Sequence, residues 1–315
     1  MSQHADFELY SRALMESKDV DPTYPVVKSI IKSYHFEPEW FVFCYVAFYS
    51  LESGIKMCKE MPTSGDWNIN LFKKMREEGY LKKFGHERRG TQRRIENQVE
   101  MFNAVIEFLN ELEHMEVEAD GYGTEPFDNP SFRKRIEALP NHGSWAAYKI
   151  AELFEKSLDK HYLTIPDLGI DDKDFSRNDG PLGGLRWLFD PTPDRTHKFD
   201  KKYWLPIFNR FGQELSKAWG VDMGQVETCL CKWHKMKTGN YFVGHDIAEF
   251  LELRHVMSEE RYQSIMCHFD PRFWEHHTEF PKELKPVYKT TKKIVNDDFA
   301  TRLPQIDVMQ IIQDL

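Results

Sequence analysis

Side chains that could transfer protons are concentrated in one stretch of the chain, residues 162–190, with the sequence YLTIPDLGIDDKDFSRNDGPLGGLRWLFD. Its carboxylates are Asp167, Asp171, Asp172, Asp174 and Asp179, and its hydrogen-bond donors include Arg177, Asn178 and Arg186. The stretch is too long for a simple connector, and loops of this length are usually functional. Two close carboxylates in it could also bind Mg²⁺ together with phosphate groups. The alternative is a solvated acidic loop whose aspartates cap turns and helices.

A second group of reactive side chains follows between Glu227 and Asp246. It contains two cysteines and two histidines, Cys229, Cys231, His234 and His245. Zinc is disfavoured here, because structural zinc sites use Cys-x-x-Cys spacing and Cys-x-Cys on a helix points in two directions. In the pair His245–Asp246 an aspartate could orient an imidazole. Adjacent residues seldom achieve this on a helix, so we expect the two side chains to act separately.

The strongest basic cluster of the chain is Lys82–Arg94, KKFGHERRGTQRR. Its glycines let the backbone approach a partner, and Arg88, Arg89 and Arg93 are candidates for contacts with DNA phosphates, which position a protein without reading sequence. The alternative is a solvated, charged surface, which is the usual role of a charge run.

Residues 132–158 predict two helices joined by a tight turn. Phe132, Ile136 and Leu139 have the spacing of one buried helix face. Pro140 prevents continuation of the first helix. We expect Gly143 to take a left-handed turn conformation and Ser144 to be the N-cap of the second helix. Unpaired backbone N–H groups at such a turn can bind an anion such as a DNA phosphate, and the contacting residues would be Asn141, His142, Gly143 and Ser144.

The remaining pattern is also helical, so the predicted fold class is all-α. The apolar run Trp40–Tyr49 is typical of a central buried helix. Further helices are predicted over 7–17, 71–84, 91–115, 203–219, 221–235, 259–269 and 308–315. The chain contains no GxxxxGK[ST], GxGxxG or GxSxG motif, which argues against kinase-like, dinucleotide-binding and α/β-hydrolase proteins.

Composition places the chain among globular proteins, with 315 residues, 41% hydrophobic and 14% aromatic residues. The formal charge of −9 is the wrong sign for a protein that coats nucleic acid nonspecifically, although it permits a local basic groove. Five scattered cysteines indicate a reducing compartment. The N-terminus lacks a signal pattern, and no apolar run is long enough to span a bilayer, so we expect an intracellular, soluble protein without a membrane partner.

The turn resembles the L-P-G-V-G-x-K-T-A hairpin of the helix-hairpin-helix DNA glycosylases. The matching residues are Leu139, Pro140, Gly143 and Ala147. Asn141 departs from the glycine of that pattern. Trp145 stands where the bifunctional members have a lysine, which argues against Schiff-base lyase chemistry, since an indole cannot form an imine. Those glycosylases keep an aspartate soon after the second hairpin helix, and Asp167 is the candidate here. Any helical protein with a Pro/Gly corner is the alternative.

Three segments resemble a narrower group, the phage-encoded α-glutamyl/putrescinyl thymine pyrophosphorylases, or amino acid:DNA transferases. The segments are Gly143–Lys149, Pro166–Leu185 and Glu227–Asp246. The resemblance implies an all-α, helix-hairpin-helix glycosylase-like fold in one domain, 1–315, with lobes of about 1–125 and 126–280 and a tail, 281–315. It also implies a transferase that displaces pyrophosphate from pyrophosphorylated 5-hydroxymethyluracil in DNA with an amine.

The resemblance suggests roles for individual side chains. A neutral amine requires a base, for which we choose Asp167, and Glu227 or Asp246 would bind the amine or orient the base. The negative charge of the departing pyrophosphate would be stabilised by cations, for which the candidates are Lys149, Arg186 and Lys232, followed by Arg177. Trp145 and Tyr148 would stack on an extruded base, unless they are hairpin core. The further substrate-binding candidates are Asn178, Tyr241 and His245.

The implied partners are double-stranded DNA that carries the activated base and a small amine or amino acid. No cofactor is assigned, and Mg²⁺ remains an open alternative. The expected location is the cytoplasm, that of the host if a phage encodes the chain. Two other functions remain open: a monofunctional base-excision glycosylase, which would leave an abasic site, and a noncatalytic helix-hairpin-helix protein that only binds DNA.

Overall fold

The computed structural model describes residues 3–81, 94–122, 125–170, 175, 180–190, 197–239, 241, 243–270 and 306–315. Its α-helices are α1 (Gln3–Glu16), α2 (Thr23–Tyr34), α3 (Pro38–Phe48), α4 (Leu51–Glu60), α5 (Ile69–Glu77), α6 (Ile95–Tyr122), α7 (Asn129–Ala138), α8 (Ser144–Ser157), α9 (Gly180–Phe189), α10 (Lys201–Trp219), α11 (Met223–Lys237), α12 (His245–Glu249), α13 (Glu259–Met266) and α14 (Val308–Gln313). Short 3₁₀ helices span Ser64–Asp66, His161–Leu163 and Phe250–His255. These ranges contain no strand, which confirms the all-α class. Within the same ranges, no helix has both the length and the apolar character needed to cross a bilayer.

The chain divides into two compact units that are interleaved in sequence. The first unit comprises Met1–Pro22, Ile165–Leu251 and Cys267–Leu315, and the second comprises Thr23–Thr164 and Glu252–Met266. Helices α1, α9–α12 and α14 belong to the first unit, and helices α2–α8 and α13 belong to the second.

The first unit contains a helix that the sequence analysis treated as loop. Residues 180–189 form α9, so the expectation of a continuous loop over 162–190 was wrong there. Gly183 and Gly184 allow α9 and α11 to pack closely. A Cβ atom at Gly184 would overlap the backbone carbonyl of Leu230, and one at Gly183 would overlap the ring of His234. The glycines therefore mark a close helix contact rather than a flexible turn.

The terminal helix α14 belongs to the same unit. It contacts α1 and α10, and Val308 is buried. Asp307 begins the helix, because its carboxylate accepts hydrogen bonds from the backbone N–H groups of Met309 and Gln310.

The second unit is built around α3. Every residue from Trp40 to Phe48 is buried, as the apolar run predicted. Phe43 packs edge-on against Phe154 of α8, with ring centres 6.1 Å apart, and Phe132 of α7 lies 5.1 Å from the same Phe154 ring. These aromatic contacts hold the helices on either side of the turn at 139–143 on the central helix.

Candidate functional site

A buried carboxylate, Asp19, lies at the centre of a polar cluster in the first unit. It follows α1, and its side chain is fully buried. One oxygen accepts hydrogen bonds from the hydroxyl of Tyr241 at 3.0 Å and from the backbone N–H of Gly244 at 2.7 Å. The other oxygen accepts from the N–H of Ile247 at 3.3 Å. Asp19 thereby fixes the turn that leads into α12.

Lys232 joins this carboxylate to a second one. Its ammonium donates to the backbone carbonyl of Asp19 and lies 2.7 Å from Oδ2 of Asp246. It also lies 4.8 Å from the ring centre of Tyr241, a cation–π contact. The Lys232 side chain is 8% exposed and that of Asp246 is 32% exposed, so the ion pair reaches the surface through Asp246. We call Asp19, Lys232, Tyr241, Gly244 and Asp246 the Asp19 cluster.

Burial and neighbouring charges separate the pKa values of the two carboxyls. Burial raises the pKa of Asp19 to about 7 against the opposing effect of Lys232, and the Asp246 charge reinforces the rise. Burial acts on Asp246 as well, but Lys232 and His245 outweigh it and lower the pKa of Asp246 to about 2. Lys232 loses solvation, yet the carboxylates of Asp246 and Asp19 hold its pKa above the usual value. At neutral pH the Lys232–Asp246 pair is therefore ionised, whereas Asp19 can gain or lose its proton.

Local sequence signals explain how the helices position this cluster. Helix α11 begins with a capping box, in which Asp222 accepts from the N–H of Gln225 and Gln225 accepts from the N–H of Asp222. Phe7 of α1 packs against the buried Trp233 of α11 at 5.6 Å between ring centres. Gly244 has φ +92°, a conformation that side chains rarely allow, and it directs the chain into α12.

The structure brings together four side chains that were site candidates from the sequence: Lys232, Tyr241, His245 and Asp246. The ring of His245 lies edge-on to Tyr241, with the centres 5.0 Å apart. The central residue, Asp19, was not among the candidates. It lies in a segment whose composition, Lys18–Pro22 (KDVDP), is that of an ordinary turn.

Asp167, the proposed base, lies in another turn of the first unit. Its Oδ1 accepts a hydrogen bond from the N–H of Gly169 at 2.7 Å, and Gly169 has φ +64°. Between them, Leu168 is fully buried and its N–H donates to the side chain of Asn209 on α10 at 3.3 Å. The half-buried carboxylate is therefore held in a fixed orientation by a turn that is anchored on a helix.

Arg186 and Glu227 lie on α9 and α11 of the same unit. The guanidinium of Arg186 is 3.3 Å from Oδ2 of the buried Asp190. Glu227 is half-buried beside Thr228, whose hydroxyl donates to Asp21 at 3.0 Å and lies 3.4 Å from Glu227 Oε2. Both candidates thus lie in polar networks within the unit.

Lys149 belongs to the second unit, on α8. Its ammonium donates to the hydroxyl of Tyr24 at 2.5 Å and to Oε2 of the buried Glu152 at 3.2 Å. It also lies 4.4 Å from the centre of the Tyr24 ring. These contacts tie α8 to α2 and hold the ammonium in place.

The turn between α7 and α8 differs in detail from the expectation. Asn141, with φ +64°, takes the left-handed conformation that was assigned to Gly143. Gly143 is extended, with φ −133° and ψ −179°, and is the N-cap, so Ser144 is the first residue of α8. Asn tolerates the left-handed region better than most residues, and the Asn141 side chain donates to the carbonyl of Asn97 at 2.9 Å.

The accessible part of this turn is the backbone at Gly143. A Cβ atom there would meet nothing within 4 Å. His142 is held by a 3.0 Å hydrogen bond between Nδ1 and the carbonyl of Pro140, and its ring lies edge-on to Phe43. The side of the turn towards α6 is acidic, because the depression that includes Pro140 is lined by Glu96, Glu100 and Glu107.

Exposed and buried aromatic side chains lie just after this turn. Trp145 is 38% exposed and lies edge-on to Tyr49, with ring centres 5.0 Å apart. Tyr49 stacks on Tyr45 and has φ +47°, a strained conformation for a bulky residue. Tyr148 is buried, and the guanidinium of Arg133 covers its ring at 5.1 Å. Trp145 is thus accessible to a ligand, and Tyr148 belongs mainly to the packed interior.

Several candidates from the sequence lie outside the described residues: Asn178, Arg88, Arg89, Arg93, Arg177 and the aspartates at 171, 172, 174 and 179. Among the residues that are described, no group of three or more His, Cys, Asp or Glu side chains is arranged as a metal site.

Comparison with protein families gives one match that covers most of the chain. Residues 15–242 match the family described as amino acid:DNA transferase. The chain belongs to this family. It is therefore assigned as a transferase that uses amino acids and acts on DNA. Searches of curated proteins and of solved structures found no match to the transferase.

The matched range contains most of the candidate site of the transferase. Asp19, Asp167, Lys232 and Tyr241 lie within it, as does the turn at 139–143, whereas His245 and Asp246 follow its last residue. The part of the Asp19 cluster inside the match therefore comprises the buried acid, the lysine and the tyrosine.

Proposed function

We propose that the chain joins an amino acid or polyamine, through its amine nitrogen, to the 5-methylene carbon of pyrophosphorylated 5-hydroxymethyluracil in double-stranded DNA. A C–N bond forms from the nitrogen lone pair, the C–O bond to pyrophosphate breaks, pyrophosphate leaves with that electron pair, and the new ammonium loses a proton. Membership of the amino acid:DNA transferase family is the observation that carries this proposal.

In this proposal Asp167 is the general base that keeps the attacking amine neutral. A base of this kind contributes about 10²–10⁴-fold to the rate, provided that it is held within hydrogen-bond reach of the proton. The Asp167 turn supports the assignment, because the hydrogen bond from Gly169 and the anchored Leu168 hold the carboxylate in a fixed orientation. A base with a fixed orientation loses little freedom in the transition state.

The Asp19 cluster would bind the charged groups of the two substrates. Asp246 remains a carboxylate at neutral pH and is 32% exposed, which suits an ammonium or amide donor of the incoming amine. Asp246 is already paired with Lys232, so proton removal is assigned to Asp167 and not to Asp246. Lys232 and Arg186 are the proposed cations for pyrophosphate in this unit, and Glu227 would orient the amine.

The second unit would bind DNA. We propose that the turn between α7 and α8 works as a helix-hairpin-helix motif, with a backbone phosphate at Asn141–Ser144. The target base must leave the stack before its methylene carbon can react, which costs a few kcal/mol. Trp145 is the proposed aromatic partner of the extruded base or of the gap that it leaves. Lys149 on the same helix would hold α8 in place through Tyr24 and Glu152.

Nucleoside mass spectrometry tests the proposal directly. The protein is incubated with duplex DNA that contains pyrophosphorylated 5-hydroxymethyluracil and with a panel of amines, in Mg²⁺ and in EDTA. The expected product is a thymine heavier by one amine, with one pyrophosphate released per base. An abasic site would instead identify a glycosylase, and DNA binding without any product would identify a noncatalytic protein.

The variant Asp167→Asn distinguishes a role of Asp167 as the general base from a role in holding the turn. Its amide oxygen can still accept the N–H of Gly169, so the turn and DNA binding should persist while product formation falls by about 10²-fold or more. Asp200→Asn is the matched control, because Asp200 caps α10 and asparagine caps helices equally well. Turnover by Asp167→Asn at the rate of the control would exclude Asp167 as the base.

A further inference from the structure

Among the cations of the second unit that lie on aromatic rings, Lys59, Arg254 and Arg261 contact the rings of Tyr34 and Tyr262. Cζ of Arg261 is 4.3 Å from the ring centre of Tyr34, and Nζ of Lys59 is 5.3 Å from the same centre. Cζ of Arg254 is 4.5 Å from the ring centre of Tyr262. We call these five residues the cation–aromatic surface. They come from α2, from α4 and from the segment 252–266.

These cations differ from other lysines of the same unit in their partners. Lys28 is 2.6 Å from a carboxylate oxygen of Asp159, and Lys56, one turn before Lys59, is 2.8 Å from Glu52. By contrast, in the part of the chain that the structure describes, no carboxylate forms an ion pair with the three cations of the cation–aromatic surface, Lys59, Arg254 and Arg261.

Helix geometry explains why the adjacent glutamates do not neutralise this surface. Glu60 follows Lys59 directly, and Glu259 and Glu260 are two and one positions before Arg261. Side chains one or two positions apart on a helix do not face each other. Within the described ranges, these glutamates therefore form no ion pair with Lys59 or Arg261 although they are close in sequence.

The arrangement holds two like charges together. Lys59 and Arg261 share one ring, and the ammonium of Lys59 is fixed by a 2.5 Å hydrogen bond to the carbonyl of Val256. Burial and the charge of Arg261 lower the pKa of Lys59. An anion that bridged Lys59 and Arg261 would relieve this repulsion and would meet donors whose positions are already set.

We infer that Lys59, Arg254 and Arg261 form a phosphate-binding surface that contacts the backbone of the DNA substrate, separately from the turn at 139–143. The three side chains are exposed, which suits a polyanion that lies along the protein. Arginine on an aromatic ring keeps its outer N–H groups free to bind phosphate oxygens in pairs. This inference rests on the proposed function, in which DNA is the substrate. Free pyrophosphate also carries phosphate groups that the surface could bind.

Salt-dependent binding to an unmodified 30-base-pair duplex, measured by fluorescence anisotropy, tests the inference. The slope of log K against log salt should fall by about 1 for each phosphate contact that is removed. For Lys59→Gln with Arg261→Gln we therefore expect a slope smaller by about 2 and an affinity at least 10-fold weaker at low salt. The charge-preserving pair Lys59→Arg with Arg261→Lys should keep the wild-type slope.

The matched control is Lys28→Gln with Lys56→Gln, which removes the same charge from the same unit, at α2 and α4. Because both lysines are neutralised by carboxylates, this variant should bind DNA as the wild type does. Equal weakening by the two double variants would refute a specific surface and indicate a net-charge effect. Urea unfolding of each variant shows whether the fold is intact.

Pyrophosphate competition distinguishes the two sources of phosphate. If the surface contacts DNA, the double variant changes the DNA slope and leaves inhibition by pyrophosphate unchanged. Loss of pyrophosphate inhibition with an unchanged DNA slope would overturn the DNA contact. If the variants change the DNA slope as expected but the wild type forms no modified nucleoside, the proposed function is refuted and the DNA contact is not.

Discussion

Asp19 and Gly244 are 225 positions apart in the sequence, yet the carboxylate of Asp19 accepts a hydrogen bond from the backbone N–H of Gly244 at 2.7 Å. The same carboxylate holds Tyr241, and Lys232 connects the Asp19 backbone to Asp246. A buried acid after the first helix therefore determines where the ionised pair meets solvent. Such a network stabilises the fold only when all of its members are paired, because burying an unpaired charge costs free energy.

The pKa of Asp19 predicts an unusual pH dependence of stability. Its pKa is about 7 in the folded protein and 3.8 ordinarily, so between these values the folded state binds the extra proton. The contribution of Asp19 to the free energy of unfolding should therefore fall as pH rises from about 4 to about 7 and level off above that. Urea unfolding at pH 5, 6, 7 and 8 measures this.

Asp19→Asn serves as the reference for that experiment. One amide oxygen cannot serve all the donors that face the carboxylate, so the variant should be less stable overall. Its dependence on pH across this range should nevertheless lack the Asp19 contribution. Asp246 does not interfere, since its pKa of about 2 confines its effect to more acidic solutions. If the free energy of unfolding varies with pH in the same way for both proteins, Asp19 does not titrate between pH 5 and 8.

Lys232→Gln should destabilise the fold by about 3 kcal/mol, because it leaves buried carboxylate charge without its partner. It should also abolish transfer, since Asp246 would lose its orientation. Lys217→Gln is the control, an exposed lysine on α10 whose replacement should change the unfolding free energy by less than about 0.5 kcal/mol. Adding Asp246→Asn to Lys232→Gln should restore part of the stability. A Lys232→Gln protein as stable as the control would contradict the central position of this lysine.

Trp145→Ala should weaken binding to DNA with an extrudable base by about 1–3 kcal/mol, the typical contribution of a base–aromatic stack. The unfolding free energy should change little, because Trp145 is 38% exposed. Tyr203→Ala on α10 provides the comparison, as a 64% exposed aromatic residue of the other unit. Fluorescence of 2-aminopurine at the target position reports extrusion, and an unchanged signal would rule out this role for Trp145.

Gly184→Ala should destabilise the protein by at least about 2 kcal/mol, because the added methyl group overlaps the carbonyl of Leu230 and forces α9 away from α11. Gly143→Ala should cost less than about 1 kcal/mol, since its φ is ordinary and the surrounding space is open. Calorimetric unfolding of both variants checks the contrast. Equal effects would mean that α9 does not pack closely on α11.

Much of the helical architecture follows from local sequence signals. The apolar run around Trp40 predicted the central helix, and its start at Pro38 agrees with the preference of proline for the first turn. The break at Pro140 correctly separated α7 from α8. Asp246 was a candidate because it follows His245, and the resemblance to the transferase family assigned roles to both Asp246 and Lys232.

Other features depend on contacts that no local pattern encodes. The residues around Asp19 have the composition of an ordinary turn, and the partners of its carboxylate are more than 200 residues away in the sequence. The glycines of α9 indicated a loop, because the carbonyl of Leu230 that requires them belongs to another helix. The left-handed residue of the α7–α8 turn is Asn141 rather than Gly143, since the anchoring carbonyl of Asn97 lies on α6.

The interleaved order of the units affects how the protein is made. The contiguous residues 23–164 leave the ribosome early, and all but one helix of their unit is then available to fold. Asp19 emerges before them, but its partners Tyr241 and Gly244 are available only when the turn before α12 is synthesised. At about 5–20 residues per second this interval is about 10–50 s. During translation Asp19 is therefore made well before the residues that hold its carboxylate.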